Sequence, residues 1–251
     1  MEASDYIYGM RAVIEAIEAG KDIDKILIKK DMQGELASEL LSAARQRKLL
    51  IMRVPVEKIN RITRSNHQGV VAILSAVPYS RVGLMVPQLY EEGILPLVVV
   101  LDGITDVRNF GAIARTAECC GANAIVIPER GSVSVCADAM KTSAGALNYL
   151  TVCRERSLPA AVRYLKDNGY AIVGATEKAD FNYTQADYTS PVAIVMGAED
   201  KGISPEILDM CDYRVSIPMF GKIGSLNVSV AAGVMMYEAV RQRLNADLEV
   251  I

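Results

Sequence analysis

Between Leu97 and Ile217 the chain repeats one pattern, in which a short run of β-branched and aliphatic residues is followed by a stretch of helical periodicity. The runs are Leu97 to Leu101, Ala124 to Ile127, Tyr170 to Val173, Val192 to Val195 and Tyr213 to Ile217. A strand with one wet face alternates apolar and polar residues, whereas one buried on both faces reads as continuous apolar sequence. Helical patterns fall at Gly111 to Cys120, Leu158 to Asn168 and Pro205 to Met210, and after the last run at Val228 to Leu244. This alternation predicts an α/β fold, a mostly parallel sheet with helices on both faces. Ligands on such sheets bind outside the carboxyl ends of the strands.

The first 78 residues read as a separate, smaller α/β domain. An apolar-periodic Met10 to Ala19 precedes the strand pattern Asp24 to Lys29, a second helix pattern spans Glu35 to Leu49, and strand patterns follow at Ile51 to Val54 and Gly69 to Leu74. Pro78, Gly83, Pro87, Gly93 and Pro96 then punctuate the chain, so residues 79–95 are expected to be a linker and 96–251 the larger domain.

Composition narrows the function. With 51% hydrophobic and 23% charged residues the chain is ordinary globular protein, which excludes disordered and low-complexity classes. No apolar run reaches the roughly 20 residues of a membrane span, and the first ten residues lack the layout of a signal peptide, so a cytoplasmic protein without a membrane partner is expected. The five cysteines are odd in number and form no CxxC pair, which predicts reduced thiols and neither a disulfide framework nor a bound metal. His67 is the only histidine, so HExxH, Ser-His-Asp and Cys-His chemistry have no residues to use. Gly197 to Gly202 has the spacing of a phosphate loop, but Ile203 and Ser204 follow where lysine and serine or threonine are needed. No GxGxxG follows a strand, so a dinucleotide fold gets no support.

The net charge is −3, yet its distribution is uneven. Across residues 45–67, Arg45, Arg47, Lys48, Arg53, Lys58, Arg61 and Arg64 face only Glu57. Such density can neutralise phosphates, and it can equally be a solvated face. Arg45, Arg47, Lys48, Arg61, Arg64 and His67 are the candidate contacts to a phosphate-bearing partner.

Three polar, glycine-bearing segments lie at the carboxyl ends of expected strands. The first contains Asn109-Phe-Gly-Ala-Ile-Ala-Arg115, the second is Gly197-Ala-Glu199-Asp-Lys-Gly202, and the third runs from Ile217-Pro-Met219 through Ser225-Leu226-Asn227 to Ser229. Taken singly, each has a plain structural explanation: Asn109 caps a helix, Glu199 pairs with Lys201, Ser225 or Asn227 caps the final helix.

Together the segments resemble the SpoU/TrmH branch of the SPOUT superfamily, RNA ribose 2'-O-methyltransferases with a deep trefoil knot. Val107 stands where that family often has proline, a change of loop rigidity rather than of chemistry. The first domain is similar to the L30-like substrate-binding domain of members that act on large-subunit rRNA, and the resemblance is greatest to those that methylate a guanosine in the peptidyl-transferase region of 23S rRNA. It implies S-adenosylmethionine as methyl donor, RNA as substrate and a homodimer. It also implies catalytic roles for Asn109, Arg115, Glu199, Ser225 and Asn227, and a donor site at Gly197, Gly202, Ile217, Met219 and Leu226. A tRNA target, or a non-catalytic RNA-binding protein of ribosome assembly that keeps the fold, are the alternatives.

Overall fold

The computed structural model describes residues 5–249, without side-chain detail for 247–249, so the extreme ends of both expected domains lie outside the described residues. The chain divides into two compact units, Met1–Pro78 with Ser134–Ala137, and Tyr79–Val133 with Asp138–Ile251.

In the first unit the elements are β1 (Tyr6–Tyr8), α1 (Met10–Glu18), β2 (Ile23–Lys29), α2 (Glu35–Gln46), β3 (Ile51–Val54), α3 (Val56–Asn60) and β4 (Val70–Leu74). The sheet order is β1-β4-β2-β3, with β4 antiparallel to both neighbours and β2 parallel to β3. Side chains alternate across β2. Ile26 and Ile28 therefore pack with Val13, Ile17 and Leu40 of α1 and α2, while Leu27 packs with Ile59 of α3 on the other face. Residues 134–137 join this unit, where the Ala76 amide donates to the Val135 carbonyl at 2.8 Å.

The second unit comprises β5 (Tyr79–Ser80), α4 (Val82–Glu91), β6 (Leu97–Asp102), α5 (Val107–Cys119), β7 (Ala124–Pro128), α6 (Ala137–Thr142), β8 (Thr151–Glu155), α7 (Leu158–Asp167), β9 (Ala171–Ala175), β10 (Phe181–Asn182), β11 (Val192–Gly197), α8 (Pro205–Leu208), β12 (Tyr213–Ser216) and α9 (Val228–Glu249). Its eight strands run β10-β12-β9-β11-β6-β7-β8-β5, and every pairing is parallel. Val98, Val100, Ala193 and Val195 face α4, α7 and α8 in one buried cluster. The alternate residues Val99, Ile125 and Ile194 are fully buried on the opposite side, where α5 and α9 pack on the sheet.

The segment expected as a linker is built into this unit. β5 pairs with β8 at the sheet edge, and Val82, Met85, Val86 and Leu89 of α4 are buried against α7 and the central strands. The prolines and glycines that read as punctuation sit in and around a helix whose apolar face is long enough to pack; Pro87 lies inside it. β8 does not stand out as an apolar run, because Thr151-Val-Cys-Arg-Glu155 has only two apolar residues and ends in two charged ones. Its Arg154 is nevertheless buried, with the guanidinium 4.8 Å from the Tyr79 ring centroid and Nη2 donating to the Glu129 carbonyl at 3.2 Å. Among the described residues no helix is long and apolar enough to cross a membrane.

Candidate active site

β6 and β11 are neighbours at the point where the chain's successive strands depart in opposite directions, β7 and β8 to one side, β9 and β12 to the other. That switch point is where an open parallel sheet leaves a crevice for ligands. Their last residues are in register, Asp102 against Gly197. The loop after β11 is drawn back over this end: the Ser204 amide donates to Asp102 Oδ2 at 2.7 Å, and the Gly202 amide to the Ala198 carbonyl at 2.7 Å. Only glycine fits at 197, since a Cβ there would lie 2.1 Å from the Gly202 carbonyl carbon.

The loop after β6 feeds α5, whose N-cap is Asp106 rather than Asn109. The Asp106 carboxylate accepts the amides of Arg108 and Asn109, both at 2.9 Å. Val107 is then the first helical residue, the one position where a proline would cost no hydrogen bond, which is why either residue serves there. Asn109 is thereby released from capping, and its side chain points into a polar triangle. Asn109 Nδ2 donates to Glu199 Oε1 at 3.1 Å; Asn227 Nδ2 donates to Glu199 Oε1 at 2.9 Å and lies 3.0 Å from Asn109 Oδ1. The Val228 amide approaches the same carboxylate oxygen at 3.5 Å. Glu199 is thus held by two asparagines and not by Lys201.

Asn227 also starts α9. Its Oδ1 accepts the Ser229 amide at 3.0 Å and the Ser229 hydroxyl at 2.5 Å, so it is the cap and Ser225 is not. The far half of α9 is tied to the opposite end of the same strands by Arg243, which donates to the carbonyls of Leu95, Pro96, Tyr188 and Ser190 at 2.7 to 3.1 Å. Burial holds the Arg243 guanidinium below its ordinary pKa. These bonds fix where the first residue of α9 meets Glu199.

The remaining candidates are spread out. Ile217 is half-buried beyond β12, and Met219 to Asn227 form a continuously exposed loop that includes Leu226 and Ser225. Arg115 is exposed on α5, six residues beyond Asn109. Six helical residues advance about 9 Å and turn about 240°, which sets Arg115 on a different face from the Asn109 triangle. It forms no ion pair among the described residues.

In the first unit the basic residues fall into two groups. Arg45, Arg47 and Lys48 lie at the end of α2 before β3, and Arg61, Arg64 and His67 follow α3 beyond the other end of β3. Lys48 adopts a left-handed backbone, φ 54°. Both ring nitrogens of His67 are engaged: Nδ1 accepts the Gly69 amide at 2.9 Å, which leaves the proton on Nε2 to be donated to Asn60 Oδ1 at 2.8 Å.

The cysteines are all free thiols. Burial pushes the Cys153 thiol up to about 12 and those of Cys120 and Cys211 to about 11, so these three are not ready nucleophiles near neutrality. Among the described residues no group of three or more His, Cys, Asp or Glu is placed to hold a metal ion.

Residues 96–237 match the SpoU rRNA Methylase family. The chain belongs to that family. Residues 6–80 match the RNA 2'-O ribose methyltransferase substrate-binding domain. A putative TrmH family tRNA/rRNA methyltransferase of Staphylococcus saprophyticus is 39% identical over 237 residues, covering 94% of this chain and 95% of the relative. Among solved structures, an AdoMet-bound rRNA methyltransferase from Sinorhizobium meliloti superposes with a TM-score of 0.58 at 26% identity, covering 94% of this chain and 87% of that one. A TrmH/SpoU tRNA modifying enzyme from A. aeolicus gives 0.55 at 28% identity, covering 65% of this chain and 86% of that one. The chain is an RNA 2'-O-methyltransferase whose donor is S-adenosylmethionine. The close approach at Gly197 is filled by the backbone of Gly202 and Ile203, so glycine there lets the 198–203 turn fold back over the end of β11.

Proposed function

We propose that the enzyme methylates the ribose of a guanosine in 23S rRNA, in the peptidyl-transferase region, and that it works in the cytoplasm as a homodimer. The observation that supports rRNA is the first unit: the Sinorhizobium rRNA enzyme aligns across 94% of this chain, whereas the tRNA enzyme aligns across 65%. A tRNA target is the second reading, favoured by the words tRNA/rRNA in the name of the Staphylococcus relative.

When bound, S-adenosylmethionine supplies an electrophilic sulfonium methyl. Gly197, Gly202, Ile217, Met219 and Leu226 are the residues we assign to holding it. The chain must then orient a ribose hydroxyl in line with that methyl and stabilise the oxygen as its proton leaves. An arginine stays protonated at any physiological pH, so Arg115 serves as a cation that binds the adjacent phosphate and favours ionisation of the hydroxyl, whose proton passes to water. Asn109, Glu199 and Asn227 form the polar frame, and Ser225, in the exposed loop before α9, is assigned to contact the ribose.

Two features support a dimer. Arg115 lies away from the frame it must serve, so a second protomer is the natural source of the arginine for each site. Val230, Tyr237 and Leu244 recur at seven-residue spacing on α9 and are each more than half exposed, an apolar stripe on the side opposite Ala232, Met236 and Ala239.

The test is transfer of labelled methyl from S-adenosylmethionine to 23S rRNA and to bulk tRNA, followed by mapping of the 2'-O-methyl position. Label on a peptidyl-transferase guanosine is expected; label confined to tRNA would replace this reading with the second.

A further inference from the structure

The first unit contains an open depression of about 710 Å³ lined by Glu57, Asn60, Arg61 and Arg64. Binding pockets for small ligands span roughly 300 to 1,000 Å³, so a single unstacked nucleotide fits in it. The depression is distinct from the Asn109, Glu199 and Asn227 frame, which belongs to the other unit.

Its chemistry is more selective than a phosphate platform. Glu57 is the only acid in the basic stretch 45–67, and a carboxylate there weakens attraction to phosphate. Glu57 and Arg61 have the four-residue spacing at which helical ion pairs form, yet among the described residues neither makes one. Both side chains thus keep their hydrogen-bonding capacity for another partner. The Asn60 side chain is held by His67, which donates to its Oδ1 at 2.8 Å and which the Gly69 amide fixes in turn. The Asn60 amide nitrogen is left as a donor.

A carboxylate accepts two hydrogen bonds side by side. Guanine alone among the four bases offers two adjacent donors on one edge, N1–H and the 2-amino group, while its O6 and N7 are acceptors suited to a guanidinium. Adenine and cytosine present an amine beside an acceptor, and uracil presents one N–H between two carbonyls. Unpaired bases splayed out of RNA are read on these edges.

We propose that this depression reads one unpaired guanine of the RNA substrate, with Glu57 on the N1 and 2-amino edge and Arg61 and Arg64 on O6, N7 or the flanking phosphate. The proposal rests on the reading of the first unit as the RNA-binding domain and adds base specificity to it.

Fluorescence anisotropy of the full chain with short single-stranded RNAs, identical except for guanine, inosine or adenine at one central position, tests the idea. The native protein is expected to favour guanine over both others by roughly tenfold, inosine losing the bond to the 2-amino group. Glu57→Ala should erase that preference while tightening the adenine-containing RNA, because a negative charge has gone. Glu57 is exposed, so the variant is expected to melt like the native protein. If Glu57 is only solvated surface, the substitution raises both affinities and leaves their ratio unchanged. That result, or the absence of any guanine preference in the native protein, overturns the proposal. Arg61→Ala with Arg64→Ala should weaken all three RNAs and flatten the salt dependence by about 0.7 in log-log slope per lost single-strand contact. Methyl transfer to 23S rRNA is measured on the same preparations. Transfer without guanine preference removes the pocket and keeps the methyltransferase target; guanine preference without transfer to rRNA does the reverse.

Discussion

Asn227 donates from Nδ2 to Glu199 Oε1 at 2.9 Å while its own Oδ1 accepts the amide of Ser229 in the first turn of α9. One side chain therefore caps the last helix with one end and fixes the carboxylate of the candidate active site with the other. The position of α9 and the geometry of the site cannot be changed independently.

The two roles separate by substitution. Serine is as good an N-cap as asparagine but has no amide to offer Glu199. Asn227→Ser should hold stability within a few tenths of a kcal/mol and lose methyl transfer, whereas Asn227→Ala should lose transfer and about 1 kcal/mol as well. Urea denaturation beside a transfer assay reads both, and a serine variant with full activity would show the frame to be dispensable.

At Gly197 the constraint is steric. Gly197→Ala brings a Cβ to 2.1 Å from the Gly202 carbonyl carbon, so the 198–203 turn must open. Overpacking against backbone costs about 1 to 3 kcal/mol, and donor affinity should fall at least tenfold. Calorimetric titration with S-adenosylmethionine, in the presence of a chelator, measures the loss; unchanged affinity would place the donor elsewhere.

For Arg115 the expected separation is between chemistry and donor binding. Arg115→Ala should abolish transfer and leave donor affinity within a few-fold. If arginine reaches the site of the partner subunit, mixing Arg115→Ala with Asn227→Ser protomers restores intact sites in hybrid dimers, to about a quarter of the native number after statistical exchange. No recovery on mixing would put the arginine in the same protomer as its frame.

Lys48 carries a backbone conformation that favours glycine. Lys48→Gly is expected to stabilise the protein by about 0.5 to 1 kcal/mol and to weaken RNA binding by one phosphate contact. A variant that gains stability with RNA affinity intact would mark Lys48 as surface.

Buried thiols give the protein an alkaline limit. The Cys153 thiol, ordinarily near 9, is raised to about 12, so the folded state binds more protons than the unfolded chain between those values. Stability is then full below about pH 9 and falls as pH rises toward about 12, at up to roughly 1.4 kcal/mol per unit for each such group. Cys153→Ala should show a shallower decline in denaturation curves taken across that range; an identical slope would mean that Cys153 does not contribute.

The sequence alone determined the strands of the central sheet, because burial on both faces demands unbroken apolar runs, and such runs at Leu97, Ala124 and Val192 have no other stable use. It also singled out three polar segments at one end of the sheet, which carry Asn109, Glu199 and Asn227, while the roles of these residues came only from the resemblance of those segments to a family. It could not show which of them touch. Glu199 is 90 residues from Asn109 and 28 from Asn227, and only strand order and the return of α9 bring all three to one oxygen atom. Local reading assigned capping to Asn109 because spacing cannot tell a cap from a residue three positions into the helix, and the choice went to Asp106 through hydrogen bonds. The stretch 79–95 reads as a linker, and β8 leaves no apolar run, for a related reason. Their proline and charge are tolerated in a packed element only because particular distant partners, the α7 face and the Tyr79 ring, accept them, and such partners are set by tertiary structure alone.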